Sequence, residues 1–147
     1  MASTAAFSAR AESQTQTIAG PVVLLGRLFF VLIFLMSGPM HFSSQTIAFA
    51  ASQGVPLASI AVPVSGVLAI VGGLSILLGY RARVGAWLIA FFLIAVTPLM
   101  HKFWTVTDPT MHQMQFVMFM KNVAMLGGAL LISQLGSGPW SLDGRRK

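Results

Sequence analysis

The chain has 147 residues, enough for one domain. Hydrophobic residues make up 56% of it and charged residues only 8%, against about 25% charge in soluble proteins, so its apolar surface faces lipid and not water. The lack of cysteine excludes disulfides, thiolate metal sites and thiol–disulfide catalysis by this chain; the net charge of +6 is spread beside apolar runs instead of gathered in one patch, which argues against nucleic acid as a partner.

Residues 1–19 are small and polar, with Arg10 and Glu12 as their charges, and read as a flexible cytoplasmic tail. Four long apolar runs follow, giving predicted helices over 21–40, 57–79, 84–101 and 114–135. Each is near the ~20 residues needed to cross a bilayer core. Gln53-Gly54-Val55-Pro56 breaks the first joint, Tyr80-Arg81-Ala82-Arg83 makes a tight second, and Thr107-Asp108-Pro109-Thr110 turns the third. The membrane domain occupies 20–143, and residues 144–147 form a basic C-terminal tail.

Orientation follows from the flanking cations. Arg10, Arg81, Arg83, Arg145, Arg146 and Lys147 fall on one side, and Lys102 alone falls in the loops of the other. That asymmetry places both termini in the cytoplasm. Tyr80, Trp87 and Trp140 then lie near the inner interface and Trp104 near the outer one.

Small residues provide the packing faces that helices need in lipid. The second helix has Ser59, Gly66 and Gly73 at sevens, with Val62 and Ala69 on the same stripe. The third has Ala82, Ala86 and Ala90 at fours, and the fourth has Gly127-Gly128-Ala129. Short joints make successive helices antiparallel neighbours, so the expected fold is an all-α, up-down bundle of four transmembrane helices. Pro63 and Pro98 are expected to bend the second and third helices.

Two cations lie inside apolar runs, where each costs about 2.5–3.5 kcal/mol on insertion. Arg27 approaches the inner side, within reach of Asp143, Glu12 or lipid phosphate. Lys121 has no acid at its own depth, which leaves backbone carbonyls, the Asn122 and Gln115 side chains, or an anionic or carbonyl-bearing ligand. Met111, Met114, Met118, Lys121, Met125 and Gly128 form one stripe, expected to be either a Met-rich packing seam or, facing the bundle interior, an adaptable ligand wall. His41, His101 and His112 all fall at the outer mouth. Three imidazoles are the weak metal candidates and two suit a haem, but no adjacent carboxylate or H-x-x-H spacing supports ligation over plain hydrogen bonding.

Arg27, Phe34 and Ser37-Gly38-x-x-His41 together resemble the first-helix pattern of the DoxX family of small four-helix membrane proteins. His101-x-Phe103-Trp104 resembles that family's aromatic motif after the third helix. Phe116–Leu131 resembles its last helix, and Gly138–Asp143 its usual ending. His41 stands where lysine is common, and Lys102 where an acid or small residue is common. The resemblance implies a multi-pass protein of the bacterial inner membrane, associated in some relatives with oxidoreductases and quinones.

Three functions compete. The first is a membrane subunit assisting a redox process, with a quinone or small-anion site near Lys121, Asn122, Gln115, His41, His101, Trp104 and Arg27. Any electron-carrying cofactor would then sit on a partner redox subunit. The second is an assembly or stabilising subunit without a ligand. The third is an anion transporter working as a homo-oligomer.

Overall fold

The computed structural model describes the backbone of residues 2–146 and the side chains of residues 19–145. The order is α1 (Ala2–Ser37), a 3-10 turn (Gly38–Phe42), α2 (Ser44–Ser52), α3 (Ala58–Leu78), α4 (Ala82–Met100), a second turn (Phe103–Thr105), α5 (Pro109–Leu135) and a last turn (Gly144–Arg146). No strand occurs among the described residues. Four segments are long and apolar enough to span a membrane: Ala19–Phe42, Ala58–Leu78, Ala82–Thr105 and Pro109–Leu135. The bundle is therefore the expected one, but α1, α4 and α5 begin earlier than their apolar runs, while α3 begins one residue later. The backbone of the segment read as a tail is helical from Ala2, while its side chains, Arg10 and Glu12 included, lie outside the described residues.

Capping explains two of the differences. Asp108 accepts from the Met111 amide at 2.8 Å, and Pro109 occupies the first turn of α5. Asp-Pro is thus a helix start here, and α5 begins at 109 instead of 114. The carboxylate of Asp143 accepts from the amides of Arg81 and Ala82 at 3.1 and 3.4 Å, so the start of α4 is capped from the far end of the chain. The first joint holds a helix that the apolar pattern misses. Ser43 accepts from the Thr46 amide and starts α2, whose Ala50 and Ile47 pack with Ala58 and Val62 of α3 and with Met100.

α3 is the central helix of the packing. Its Val62, Gly66, Ala69, Gly73 and Ile76 are buried, whereas Ser59 is exposed. An added Cβ on Gly73 would meet Leu35 of α1 at 2.9 Å, and one on Gly72 would meet the Gly85 carbonyl of α4 at the same distance. Glycine thus lets two neighbours approach α3 on adjacent sides. Ala82, Ala86 and Ala90 are fully buried, which bears out that face of α4. On α5, Gly128 receives the Phe30 ring and Ala129 is buried, but Gly127 faces open space. Val31, Phe34, Ile76, Ile89 and Leu93 fill the centre.

The bundle has a basic end and a histidine end. At the basic end the chain after α5 folds back: the Leu142 and Asp143 amides donate to the carbonyls of Leu78 and Gly79. Both ends of the membrane domain meet there, since Gly20 lies against the Trp140 ring.

Candidate functional site

Polar side chains from all four spans lie toward the histidine end, in two separate hydrogen-bonded pairs, His41 with Ser65 and His101 with Gln115. His41 enters because Gly38 and Pro39 turn the end of α1 inward, and Gly66 of α3 leaves room for its Cβ. Its Nδ1 lies 2.8 Å from Ser65 Oγ, and that hydroxyl donates to the Val62 carbonyl at 2.6 Å. With the serine proton so used, Nδ1 carries the donated hydrogen and Nε2 keeps its lone pair. The imidazole rests on Phe92 of α4 at 5.8 Å, and Phe92 meets Phe34 of α1 edge-on at 6.1 Å.

His101 terminates α4, and its Nδ1 lies 2.9 Å from Gln115 Oε1 of α5. That bond fixes the register of the antiparallel pair. Moving seven residues along each helix, about 10 Å, brings Asn122 level with the α4 turn containing Leu93 and Thr97. Thr97 spends its hydroxyl on the Leu93 carbonyl at 2.5 Å. Asn122 is 6% exposed, and its amide makes no hydrogen bond to any of the described residues. The amide keeps some accessible surface, because the fully enclosed polar atoms without a partner among the described residues are Arg27 Nε and Nη1.

The other candidates lie elsewhere. Lys121 is exposed, its Nζ 3.3 Å from Met118 Sδ, so it faces away from the interior that Asn122 enters. The methionine stripe is correspondingly not an interior wall: Met111 and Met114 are exposed, and Met118 and Met125 half-buried. Arg27 is buried at the basic end, opposite the histidines. Its Nη2 donates to the Trp140 carbonyl at 2.5 Å and more distantly to that of Pro139, while Nε and Nη1 have no partner among the described residues. The expected Asp143 contact is replaced by these carbonyls because Asp143 caps α4; Glu12, the other expected partner, lies outside the described side chains.

The three histidines do not converge. His112 lies against Phe103 with its Nδ1 3.4 Å from the Val106 carbonyl, and no group of three metal-ligating side chains forms among the described residues. Trp104 is exposed in an aromatic collar with Phe103 and Phe119. Lys102, which sequence reasoning passed over, holds the lid of the histidine end: its Nζ donates to the Gln53 carbonyl at the end of α2, at 2.8 Å. The sign was a lone cation beside helix-ending residues, which suits a C-terminal cap.

The DoxX family model matches residues 22–102, more than half of the chain. The chain belongs to the DoxX family. It is 32% identical over 130 residues to inner membrane protein YphA of Escherichia coli K12, covering 86% of this chain and 92% of that protein. It is 29% identical over 123 residues to inner membrane protein YqjF of the same organism, covering 82% and 88%. No solved structure matches it. In this DoxX-family chain the match runs from α1 through His101 and so takes in both His41 and His101, while Gln115 and Asn122 lie beyond it.

Proposed function

We propose that this DoxX-family protein is an inner-membrane subunit that assists a redox process by holding a neutral, carbonyl-bearing amphiphile, such as a quinone head group, in the interior of its histidine end. The observation that carries the reading is Asn122, a mostly buried residue whose amide makes no hydrogen bond among the described residues and keeps some accessible surface. An amide offers both a donor and an acceptor, and so suits a ring bearing carbonyl or hydroxyl oxygens. Phe92 and Phe34 supply an apolar aromatic wall, and His41 Nε2 is free to exchange a proton with a ligand oxygen. The inner-membrane location rests on the relatives' names together with the four spans.

Charge argues against the anion readings. Lys121 faces outward, and Arg27 sits at the opposite end with its charge enclosed by the C-terminal segment. The cation of the histidine end, Lys102, is already held by the Gln53 carbonyl, so an anion there would have to draw it away.

The test is to titrate purified protein with a short-chain benzoquinone and follow tryptophan fluorescence, beside mass spectrometry of copurified quinones. Asn122→Leu should weaken binding by about tenfold, the worth of one buried hydrogen bond. Lys121→Met should leave it unchanged. Retained binding in Asn122→Leu with loss in Lys121→Met would move the site to the outer face of α5 and end this reading.

A further inference from the structure

The basic end carries positive charge that its own chain does not answer. Arg81, Arg83 and Arg145 are exposed there, and none of their side chains makes a hydrogen bond or ion pair with a described residue. The acid beside them, Asp143, accepts from the amides of Arg81 and Ala82, so its carboxylate is turned to the start of α4. Arg27 lies enclosed beneath the C-terminal segment and takes no part in this rim. At the opposite end, by contrast, the loop cation Lys102 is already held by the Gln53 carbonyl.

Within the rim, Arg83 stands at a corner between two helices. It is the second residue of α4 and so marks the boundary of the third span. Its Nε approaches Gly136, the residue that ends α5, where an added Cβ would sit 3.4 Å away. The guanidinium thus reaches the end of α5 without donating to its last carbonyls. One turn further along the same face of α4 stands Trp87, exposed, with the Phe91 ring 6.0 Å beyond it and Ile94 exposed after that. Charge, indole, phenyl and aliphatic side chain follow one another from the boundary toward the bilayer midplane. Arg81 adds a second cation two residues before Arg83. It is held at the turn by a left-handed backbone, φ 48, and lies over the Tyr80 ring at 6.0 Å.

We propose that this corner seats one anionic phospholipid, with its phosphate on Arg83, Arg81 beside it, and one acyl chain along Trp87, Phe91 and Ile94. A guanidinium fork matches phosphate oxygens, and an anionic headgroup brings the net charge that a zwitterionic one lacks. The apolar track runs from the charge toward the midplane, the direction in which a lipid extends from its headgroup. A soluble phosphate would use the guanidinium and leave that track unused. The site lies at the opposite end of the bundle from His41 and Asn122, and it stands whether or not a quinone binds there.

The experiment places the full chain in nanodiscs holding phosphatidylglycerol and phosphatidylcholine in equal amounts. One lipid at a time carries a diazirine in an acyl chain. After irradiation, mass spectrometry maps the lipid adducts, and the yield with labelled phosphatidylglycerol is divided by that with labelled phosphatidylcholine. The expected ratio over Trp87–Ile94 is about fivefold above that at Ile60 and Val64, which are exposed on α3 at the histidine end. Arg83→Gln, which removes no hydrogen bond of the fold, should bring the two ratios together. Arg83→Lys, which keeps the charge without the fork, should fall between them. Equal ratios at the two places in the wild-type chain would overturn the proposal. So would an enrichment over Trp87–Ile94 that survives Arg83→Gln, or one that free inorganic phosphate abolishes at an ionic strength where chloride does not.

Discussion

Arg27 shows how a buried charge is held by backbone carbonyls, with no anion beside it among the described residues. Its guanidinium reaches the carbonyls of Pro139 and Trp140, and Gly79 leaves it the space to do so: an added Cβ there would collide with Nη1 and with Ser141. Gly79 also has φ +64, in the left-handed region. Gly79→Ala therefore adds backbone strain to a clash and should cost at least about 2 kcal/mol. Asp143→Ala removes the cap of α4 and should cost about 1 kcal/mol. Arg27→Met removes two carbonyl contacts, but it also removes a charge with two unpaired donors, and should stay within about 1 kcal/mol of wild type. Thermal aggregation midpoints in one detergent should fall in that order of damage. A midpoint loss for Arg27→Met exceeding that for Gly79→Ala would show that the guanidinium holds a stronger partner than these carbonyls. The residue-scale chemistry was only partly legible in the sequence. Arg27 announced itself by depth, but its partners are backbone carbonyls from a distant segment, which no side-chain inventory reveals, and Lys121, equally deep in its run, rests on Met118 of its own helix.

At the scale of the element, glycine has opposite meanings in α3 and α5. Gly72 touches the backbone of α4, whereas Gly127 touches nothing. Gly72→Ala should destabilise the bundle. Gly127→Ala should be neutral or stabilising by up to about 1 kcal/mol, from helix propensity alone. Gly73→Leu should likewise lower the unfolding midpoint more than Leu74→Ala, because Leu35 occupies the space and Leu74 is already 43% exposed. Unfolding of the four variants in one detergent checks both contrasts, and equal midpoints within either pair would remove the packing argument. The small-residue stripes of α3 and α4 were readable because backbone approach demands them. The phase of α5 was not. Both sides of a membrane helix are apolar, so hydropathy says nothing about whether Lys121 or Asn122 turns inward, and only packing against α4 decides. α2 escaped for a related reason: it is a short helix at the histidine end started by a serine cap, not by an apolar run.

For the whole molecule, the chain's charges and its closure agree. Four spans return the chain to the side on which it began, and the pairing of Leu142 and Asp143 with Leu78 and Gly79 draws the C-terminal segment to the α3–α4 turn. Arg81, Arg83 and Arg145 thus gather at one end, with Lys102 in the loops of the other. Lys102 is moreover occupied by the end of α2, which weakens it as a competing topological signal. Both termini should accordingly be cytoplasmic, by the preference of positive loops for that side. Single cysteines suit the measurement, since the chain has none of its own. A cysteine at Gln134 or Leu142 should resist a membrane-impermeant maleimide in intact cells and react after lysis, whereas one at Ser52 or Thr107 should react in both. Replacing Arg81 and Arg83 with alanine should leave a fraction of chains inverted, because the tight turn between α3 and α4 then loses its retaining charge. Labelling of the Leu142 cysteine in intact wild-type cells would reverse the orientation and place the histidine end, with its Asn122 amide, on the cytoplasmic side.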